Sequence, residues 1–252
     1  MPVTFFDWIM LYINEYGRLF LHGAALTLLL AVVGTVAGFL IGLLVAVIRT
    51  IPIEKKDPLI KRALIKVLKG ALVVYIEVFR ATPMIVQAML LFYGPSFIGI
   101  NIPVMAAGFL VISINTGAYI AEIVRGGIIS IDRGQTEGAQ SIGMTHWQTM
   151  LTVVLPQAIR NIMPAIGNEF IINIKDSAVL STIGVTELFF QTKSASGTYL
   201  QYFPAFAITC VIYLIMTLAV TRILGALEKK MDGPASYVMK EALDKRRHGG
   251  GL

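Results

Sequence analysis

The stretch LFLHGAALTLLLAVVGTVAGFLIGLLVAVI, residues 19–48, decides the fold class of this chain. It holds no Asp, Glu, Lys or Arg, and Arg18 and Arg49 stand at its two ends. About 20 consecutive apolar residues suffice for an α-helix to cross the hydrocarbon core of a bilayer. The stretch therefore predicts a membrane-spanning helix with room to tilt.

The composition of the whole chain agrees with a membrane protein. Of its 252 residues 56% are hydrophobic and only 14% charged, whereas soluble domains carry about 25% charged residues. The net charge of +6 does not indicate nucleic acid binding, because 17 of the 21 Lys and Arg residues lie in blocks 49–69, 125–160 and 222–247, between apolar spans. Such blocks mark the cytoplasmic side. The single cysteine excludes an internal disulfide, and the three scattered histidines give no metal-ligand spacing.

The alternation of apolar spans and basic blocks predicts an all-α integral membrane protein with five transmembrane helices. Its N-terminus is expected outside and its C-terminus inside the cell. Residues 1–17 predict an amphipathic helix at the outer interface, residues 18–228 the transmembrane region, and residues 229–252 a cytoplasmic tail that ends in disorder. The predicted spans are 19–48, 64–93, 103–124, a fourth beyond Pro156, and 203–224; Gly94 and Pro95 are expected to end the second.

The fourth span is too short to cross the membrane as one helix. Only about 22 Å of helix separate Arg160 from the adjacent charges Lys175 and Asp176. The following segment, DSAVLSTIGVTELFFQTKSASGT, must complete the crossing with irregular backbone, which survives at membrane depth only where it contacts protein or a water-filled cavity. We therefore expect the helix to break at Lys175 and Asp176.

The first span also carries a stripe of small residues. Gly34, Gly38 and Gly42 follow one another at intervals of four, so that another helix can approach closely. Two partners fit this pattern. The favoured one is another span of the same chain, and the alternative is a second subunit.

The segment between the third and fourth spans, residues 132–156, is too polar to cross the membrane and predicts a cytoplasmic hairpin of two short helices. Asp132 with Gln135, and Thr145 with Gln148, have the three-residue spacing of capping boxes. Gly143 stands where a helix ends in a left-handed residue.

The second helix of this hairpin is expected to stop at Pro156. It has an apolar face although it lies outside the membrane, formed by Trp147, Met150, Leu151 and Val154. An exposed apolar face needs a partner, and either the chain's own spans or another protein could cover it.

This hairpin resembles that of the permease subunits of ATP-binding cassette importers. Their signature is Glu-Ala-Ala, three residues, Gly, nine residues, then Ile, any residue, Leu and often Pro. At the matching intervals this chain has Glu137, Gly138, Ala139, Gly143, Val153, Leu155 and Pro156. Gly138 replaces Ala and weakens its helix by up to about 1 kcal/mol, and Val153 replaces Ile.

The resemblance covers nearly the whole chain and narrows to the polar amino acid branch through YIEVFRATPMIVQ, NTGAYIAEIVRGGI and PAIGNEFIINIKDSAVLSTIGVTEL. It implies a fold of the type I importer permease kind, in a prokaryotic plasma membrane, the inner membrane in a Gram-negative cell. It also implies a second permease subunit, identical or not, two cytoplasmic ATPase subunits and an extracytoplasmic amino acid-binding protein. The residues that would couple to the ATPase are Glu137, Gly138, Ala139, Gly143, Thr145, Trp147, Leu155 and Pro156.

Charged residues inside the spans are the candidates for the substrate pathway. Each costs about 2.5–3.5 kcal/mol at mid-bilayer, so each must face protein or water. Glu77 and Arg80, three residues apart, predict an ion pair that braces the subunit or lines the pathway. Glu122 near the inner interface, with Arg125 three residues on, predicts a packing charge.

Lys175 and Asp176 differ from these pairs, because adjacent residues of a helix do not face each other. Glu169 lies six residues before Lys175 on a broadly similar face. The resemblance implies that Glu169, the Lys-Asp-Ser segment ending at Ser177, and Asn115 of the third span line the substrate cavity. The alternative is a structural network.

Three functions compete for this sequence. A transport subunit explains the hairpin, and ATP hydrolysis would belong to a partner because no phosphate-binding loop is present, so we expect no cofactor on this chain. An intramembrane enzyme would need facing catalytic groups, and no catalytic motif is found. An ion-coupled transporter suits the broken fourth span, but the exposed hairpin and the absence of a repeat argue against it.

The charges in the membrane suggest a substrate class. Acidic residues outnumber basic ones four to two among Glu77, Arg80, Glu122, Glu169, Lys175 and Asp176. This favours a neutral-polar or cationic amino acid such as glutamine, histidine or arginine, with cystine or glutamate as alternatives. The substrate carboxylate could pair with Lys175 or Arg80, and its ammonium with Asp176, Glu169 or the Asn115 amide.

Overall fold

The computed structural model of the chain describes residues 4–53 and 57–248, with side chains described up to residue 230. Over these residues it is all-helical, as predicted, with nine α-helices and no strand. The helices are α1 (Phe5–Thr50), α2 (Leu59–Ala81), α3 (Met84–Phe97), α4 (Val104–Ile129), α5 (Arg133–Ser141), α6 (His146–Thr149), α7 (Leu155–Asp176), α8 (Leu188–Tyr199) and α9 (Tyr202–His248). A π-helical turn, Met150–Val154, precedes α7, and a 3₁₀ helix, Ser177–Ile183, follows it.

Three of the described helices are long and apolar enough to cross a membrane: α1, α4 and residues 202–230 of α9. None of the helices α2, α3 and α7 is both long enough and apolar enough to cross a membrane by itself. The remaining two crossings, and the orientation of the chain, therefore stay predictions.

Helix α1 continues through the boundary expected at residue 17. It spans 46 residues, or about 69 Å, and Thr4 with Asp7 forms a capping box at its start. No proline interrupts it, and Tyr12, on the part expected to be a separate interfacial helix, is fully buried and donates a hydrogen bond to the Gln201 carbonyl. The predicted boundary between a separate helix of residues 1–17 and the first span is therefore wrong. Residues 1–3 lie outside the described part.

The glycine stripe of α1 packs against α4 of the same chain. An added Cβ would lie 2.8 Å from the Ile112 side chain at Gly34, and 2.8 Å from that of Thr116 at Gly38. At Gly42 it would lie 2.7 Å from the Ala121 backbone nitrogen. The favoured intrachain partner is therefore confirmed for these glycines.

Gly42→Ala should destabilise the folded chain, because its Cβ would meet backbone atoms of α4 that cannot turn aside. We expect the free energy of unfolding to fall by about 1–3 kcal/mol. Gly70→Ala is the matched control, because a Cβ there has open space around it and alanine favours the helix by up to about 1 kcal/mol. Thermal unfolding of the two variants in one detergent compares them. Equal midpoints would contradict this account of the stripe.

The predicted second span is interrupted at Thr82 and Pro83, where α2 ends and α3 begins. Thr82 is extended, with φ −113° and ψ 147°, as the residue before a proline prefers. One continuous helix over residues 64–93 is therefore wrong. The predicted end at Gly94 and Pro95 is also wrong, because α3 runs to Phe97.

Gly99 ends α3. Its φ is +82°, and the Ile100 N–H donates to the Pro95 carbonyl at 2.9 Å, as in a Schellman motif. Pro95 is tolerated inside the last turn of the helix.

The later spans extend beyond their predicted ends. Helix α4 reaches Ile129 instead of residue 124, and α9 runs from Tyr202 to His248 without a break between span and tail. The helical tail is therefore confirmed up to His248. Its predicted disorder falls on residues 249–252, which lie outside the described part.

Helix α7 is in contact with all three of the long apolar helices. It packs against α1, α4 and α9, while the 3₁₀ helix after it packs against α3. This arrangement brings the end of α7 close to the α2–α3 break.

Candidate functional site

The hairpin between α4 and α7 has most of its predicted local structure. Thr145 and Gln148 form a complete capping box at α6, and Gly143 has a φ of +87°. Asp132 caps α5, but its carboxylate accepts from the Gly134 N–H at 2.6 Å, and no bond from the Gln135 side chain completes a capping box. The two-helix prediction is confirmed for α5 and α6.

Pro156 does not stop the second helix of the hairpin, contrary to the prediction. Helix α6 leads through the π-helical turn into α7, with Pro156 in the first turn of α7. The Leu155 N–H donates to the Met150 carbonyl five residues back. This wider turn lets the chain pass Pro156 without a break.

The apolar face of the hairpin is divided between two surroundings. Met150 and Val154 are buried, with Leu155, against Leu43, Val47, Ile128 and Ile131 of the chain's own helices and their ends. Trp147 and Leu151 are exposed, at 44% and 54%. Of the other residues predicted to couple to an ATPase, Ala139 is buried, whereas Glu137, Gly138, Gly143, Thr145 and Pro156 are exposed.

A cavity of about 240 Å³ lies where the α2–α3 break, α4 and α7 meet. Its walls combine two carboxylates, two amides, a phenol and a threonine with three apolar side chains. The lining residues are Thr82, Pro83, Met84, Asn115, Tyr119, Glu169, Ile172, Asn173 and Asp176.

Three of the seven residues predicted for the substrate pathway line this cavity: Asn115, Glu169 and Asp176. Lys175 is exposed and does not line it. Ser177 is fully buried, and its hydroxyl donates to the Ile174 carbonyl at 2.9 Å.

Helical periodicity explains this division. Glu169, Asn173 and Asp176 lie at positions i, i+4 and i+7, which form one stripe along α7. Lys175 is adjacent to Asp176 in the helix, so its side chain points away from this stripe. The predicted break is confirmed, because α7 ends at Asp176 and the 3₁₀ helix begins at Ser177.

Glu77 and Arg80 do not form the predicted ion pair, since the described residues contain none between these two side chains. The Arg80 guanidinium lies instead over the Tyr119 ring, 5.5 Å from its centroid, which is a cation–π contact. Both charged residues are exposed and neither lines the cavity. Arg80 therefore contacts a lining residue, whereas Glu77 does not line the cavity.

Glu122 does pair with Arg125, as expected, at 2.8 Å. It also pairs with Arg49, at the end of α1. Glu122 thus joins the C-terminal ends of α1 and α4.

A buried glutamine, Gln87, stabilises the α2–α3 break beside the cavity. The Gln87 amide donates to the carbonyl and the hydroxyl of Thr82 and to the Phe79 carbonyl, each at 2.9 Å. Its own oxygen accepts from the Asn115 amide at 2.8 Å. Gln87 therefore satisfies backbone groups freed by the break and fixes Asn115. Its position four residues after Pro83 was the available sequence signal for this role.

Asn173 joins the cavity to the core. Its oxygen accepts from the Thr116 hydroxyl and its amide donates to the Thr35 hydroxyl, both at 2.9 Å. These bonds tie α7 to α4 and α1 beside the glycine stripe. Asn173 was not among the residues predicted for the substrate pathway.

Glu187, also not singled out, is the most buried carboxylate of the described chain, with 0% exposure. It caps α8 by accepting from the Phe190 N–H at 2.7 Å and the Phe189 N–H at 2.9 Å. It also accepts from the hydroxyls of Tyr213 and Thr27, at 3.1 and 3.4 Å. Glu187 thus fastens the segment after the cavity to α1 and α9.

Comparison with known proteins identifies the family. A family model described as binding-protein-dependent transport system inner membrane component matches residues 62–233. The glutamine transport system permease protein GlnP of Escherichia coli (strain K12) is 35% identical over 228 residues, 90% of this chain and 98% of that protein. The arginine transport system permease protein ArtQ of Bacillus subtilis (strain 168) is 34% identical over 212 residues, 84% and 91% of the two chains.

A crystal structure of an amino acid ABC transporter with histidines has the same fold. It shares 39% identity and a TM-score of 0.78, over 91% of this chain and 100% of that one. The all-helical fold is that of type I importer permeases, and the family consists of transport subunits of bacterial inner membranes, not enzymes. The chain therefore belongs to the inner membrane components of binding-protein-dependent transport systems, as a polar amino acid permease of the ATP-binding cassette type.

Proposed function

We propose that this chain forms the translocation pathway for a polar amino acid, and that the cavity beside the α2–α3 break is part of that pathway. The observation that carries the proposal is the polar lining of a cavity within an apolar helical layer. Glu169, Asp176, Asn115 and Asn173 all face it. Ionisable groups at membrane depth are functional-site candidates, because lipid would not tolerate them.

The lining favours a substrate with ammonium or amide donors. Both carboxylates of the lining are acceptors, and none of the Lys and Arg side chains that the structure describes lines the cavity. Arg80 and Lys175 are both exposed and neither lines the cavity. We assign the substrate carboxylate to Arg80, because its guanidinium lies over the ring of the lining residue Tyr119. A neutral-polar or cationic amino acid such as glutamine, histidine or arginine fits this arrangement better than glutamate or cystine. Glutamine and arginine are the substrates named for two relatives.

The hairpin is the site at which ATP hydrolysis by a partner would drive this pathway. Trp147 and Leu151 are exposed on it, next to the turn at Gly143. The buried residues Met150 and Val154 connect that surface to the inner ends of α1 and α4. A partner ATPase that binds Trp147 would therefore move the membrane helices.

The proposed assembly contains this chain, a second permease subunit, two ATPase subunits and an extracytoplasmic amino acid-binding protein in a prokaryotic plasma membrane. The blocks of basic residues support a cytoplasmic location for the hairpin and the C-terminus. An ion-coupled transporter is the second candidate, favoured only by the broken α7 segment. Uptake that persists with an ATPase partner unable to bind ATP would support that alternative.

Glu169→Gln and Asp176→Asn test the pathway, because they keep side-chain shape and remove charge. Each variant loses a hydrogen bond between the substrate and a charged group, which contributes about 1.5–3 kcal/mol. Uptake below saturation should therefore fall by about tenfold or more. The measurement is ATP-driven uptake of radiolabelled amino acids by the reconstituted complex. Glu228→Gln, on α9 away from the cavity, is the control and should transport normally. Unchanged rates and selectivity in both cavity variants would assign the two carboxylates a structural role.

A further inference from the structure

A second concave surface lies between α1 and α9, remote from the substrate cavity. It encloses about 470 Å³ and combines apolar side chains with one carboxylate, one amide and one guanidinium. The lining residues are Ile13, Asn14, Glu15, Gly17, Arg18, Phe20, Leu21, Ile208 and Ile212. We call this surface the α1–α9 groove.

The polar side chains of the groove lie at one end, together with Ile13, and the other end is apolar. Asn14, Glu15 and Arg18 lie toward the start of α1, and the charge-free stretch of the first span begins at residue 19. Phe20 and Leu21 are at the start of that stretch, with Ile208 and Ile212 facing them from α9. Arg18 therefore lies at the level where a membrane-spanning helix meets lipid headgroups.

The two charged side chains of the groove do not neutralise each other. Glu15 and Arg18 are three residues apart on one helix face, yet no ion pair joins them in the described part of the chain. Glu15 accepts a hydrogen bond from the Tyr199 hydroxyl at 2.6 Å through one carboxylate oxygen, which leaves the other oxygen available. The groove thus presents separate sites for a cation and an anion.

We infer that the α1–α9 groove binds one phospholipid with a zwitterionic headgroup that carries a primary ammonium, as in phosphatidylethanolamine. Arg18 and Asn14 hold the phosphate, Glu15 accepts from the ammonium, and an acyl chain lies along Phe20, Leu21, Ile208 and Ile212. A choline headgroup has no N–H to donate to Glu15. A glycerol headgroup leaves the Glu15 carboxylate beside a phosphate with no cation between them.

Gly17 allows a sharp test because it leaves the groove open. A Cβ at Gly17 would meet no atom within 4 Å, so the side chain of Gly17→Leu can enter the groove. Gly70→Leu is the matched control, because Gly70 is equally unobstructed and lies on α2.

The experiment is native mass spectrometry of the purified transporter complex after titration with phosphatidylethanolamine, phosphatidylcholine or phosphatidylglycerol. We expect one preferred phosphatidylethanolamine per copy of this chain, lost in Gly17→Leu and kept in Gly70→Leu. Arg18→Gln should weaken retention of both zwitterionic lipids by about tenfold, the effect of one lost hydrogen bond to a charged group. Glu15→Gln should remove the preference for ethanolamine over choline while leaving phosphatidylcholine binding unchanged.

Two results would overturn the inference. One is a wild-type complex without headgroup preference, or with the same bound lipid after Gly17→Leu. The other is occupation of the groove by a second copy of the chain. That occupation would appear as a disulfide between Leu21→Cys copies in a Cys210→Ser background.

Discussion

Amino acid uptake should fall by about fivefold or more when Gly143 is replaced by valine, while the chain still inserts and folds. Gly143 has a φ of +87°, where a β-branched residue costs about 1–3 kcal/mol. That cost lowers the equilibrium constant for the native hairpin turn by about 5- to 140-fold. The space around a Cβ at this position is open, so the backbone of the turn bears the whole effect.

The turn matters because it sets the direction of α6. The capping box of Thr145 begins two residues after Gly143, and Trp147 follows in the first turn of α6. A displaced turn would move Trp147 away from the ATPase that we propose as its partner. We expect hydrolysis of ATP to persist without transport, or the ATPase to dissociate from the complex.

Two variants serve as controls for Gly143→Val. Gly143→Asn should retain most transport, since asparagine tolerates the left-handed conformation. Gly138→Ala should be neutral or slightly stabilising, because it restores the better helix former with no atom within 4 Å of its Cβ. Uptake and ATP hydrolysis by the same proteoliposomes provide the comparison. Wild-type uptake by the valine variant would contradict a coupling role for this turn.

The local signals of the hairpin could be predicted from sequence because they depend on neighbouring residues. Thr145 with Gln148, and Gly143 with its positive φ, needed no tertiary information. Pro156 was misjudged for the opposite reason. A π-helical turn before it depends on how Met150 and Val154 pack against other helices.

The same distinction applies to the spans. Apolar length predicted α1 and α4, whereas the break at Pro83 was missed because apolar residues continue on both sides of it. The break is stable because the Gln87 amide replaces the lost backbone partners. That compensation comes from a side chain whose orientation a sequence does not give.

In the candidate site, a charged residue of α7 lines the cavity only where its position around the helix axis also faces the cavity. Glu169 and Asp176 share the cavity stripe of α7, but the adjacent Lys175 cannot. The neutral polar residues Asn173 and Gln87 were missed because amides are not conspicuous among apolar residues. Their importance follows from the hydrogen bonds that join three helices.

Glu187→Ala should destabilise the folded chain more than any change at the surface of the described part. The carboxylate is the acceptor for two N–H groups at the start of α8 and for the hydroxyls of Thr27 and Tyr213. Removing it leaves buried donors without partners and opens a cavity, a combined loss of about 3–5 kcal/mol. The unfolding midpoint should fall by about 6–20 °C. Glu187→Gln keeps one acceptor oxygen and should cost less.

A second substitution shows whether the loss arises at this carboxylate or from general loosening. Tyr213→Phe alone removes one donor to Glu187 and should cost about 1 kcal/mol. In the Glu187→Ala background the same change should be neutral or stabilising, because it removes a hydroxyl that already lacks its acceptor. Thermal unfolding of the four proteins in one detergent gives the coupling between the two side chains. Additive losses would mean that Glu187 does not anchor α8 to α9 through Tyr213.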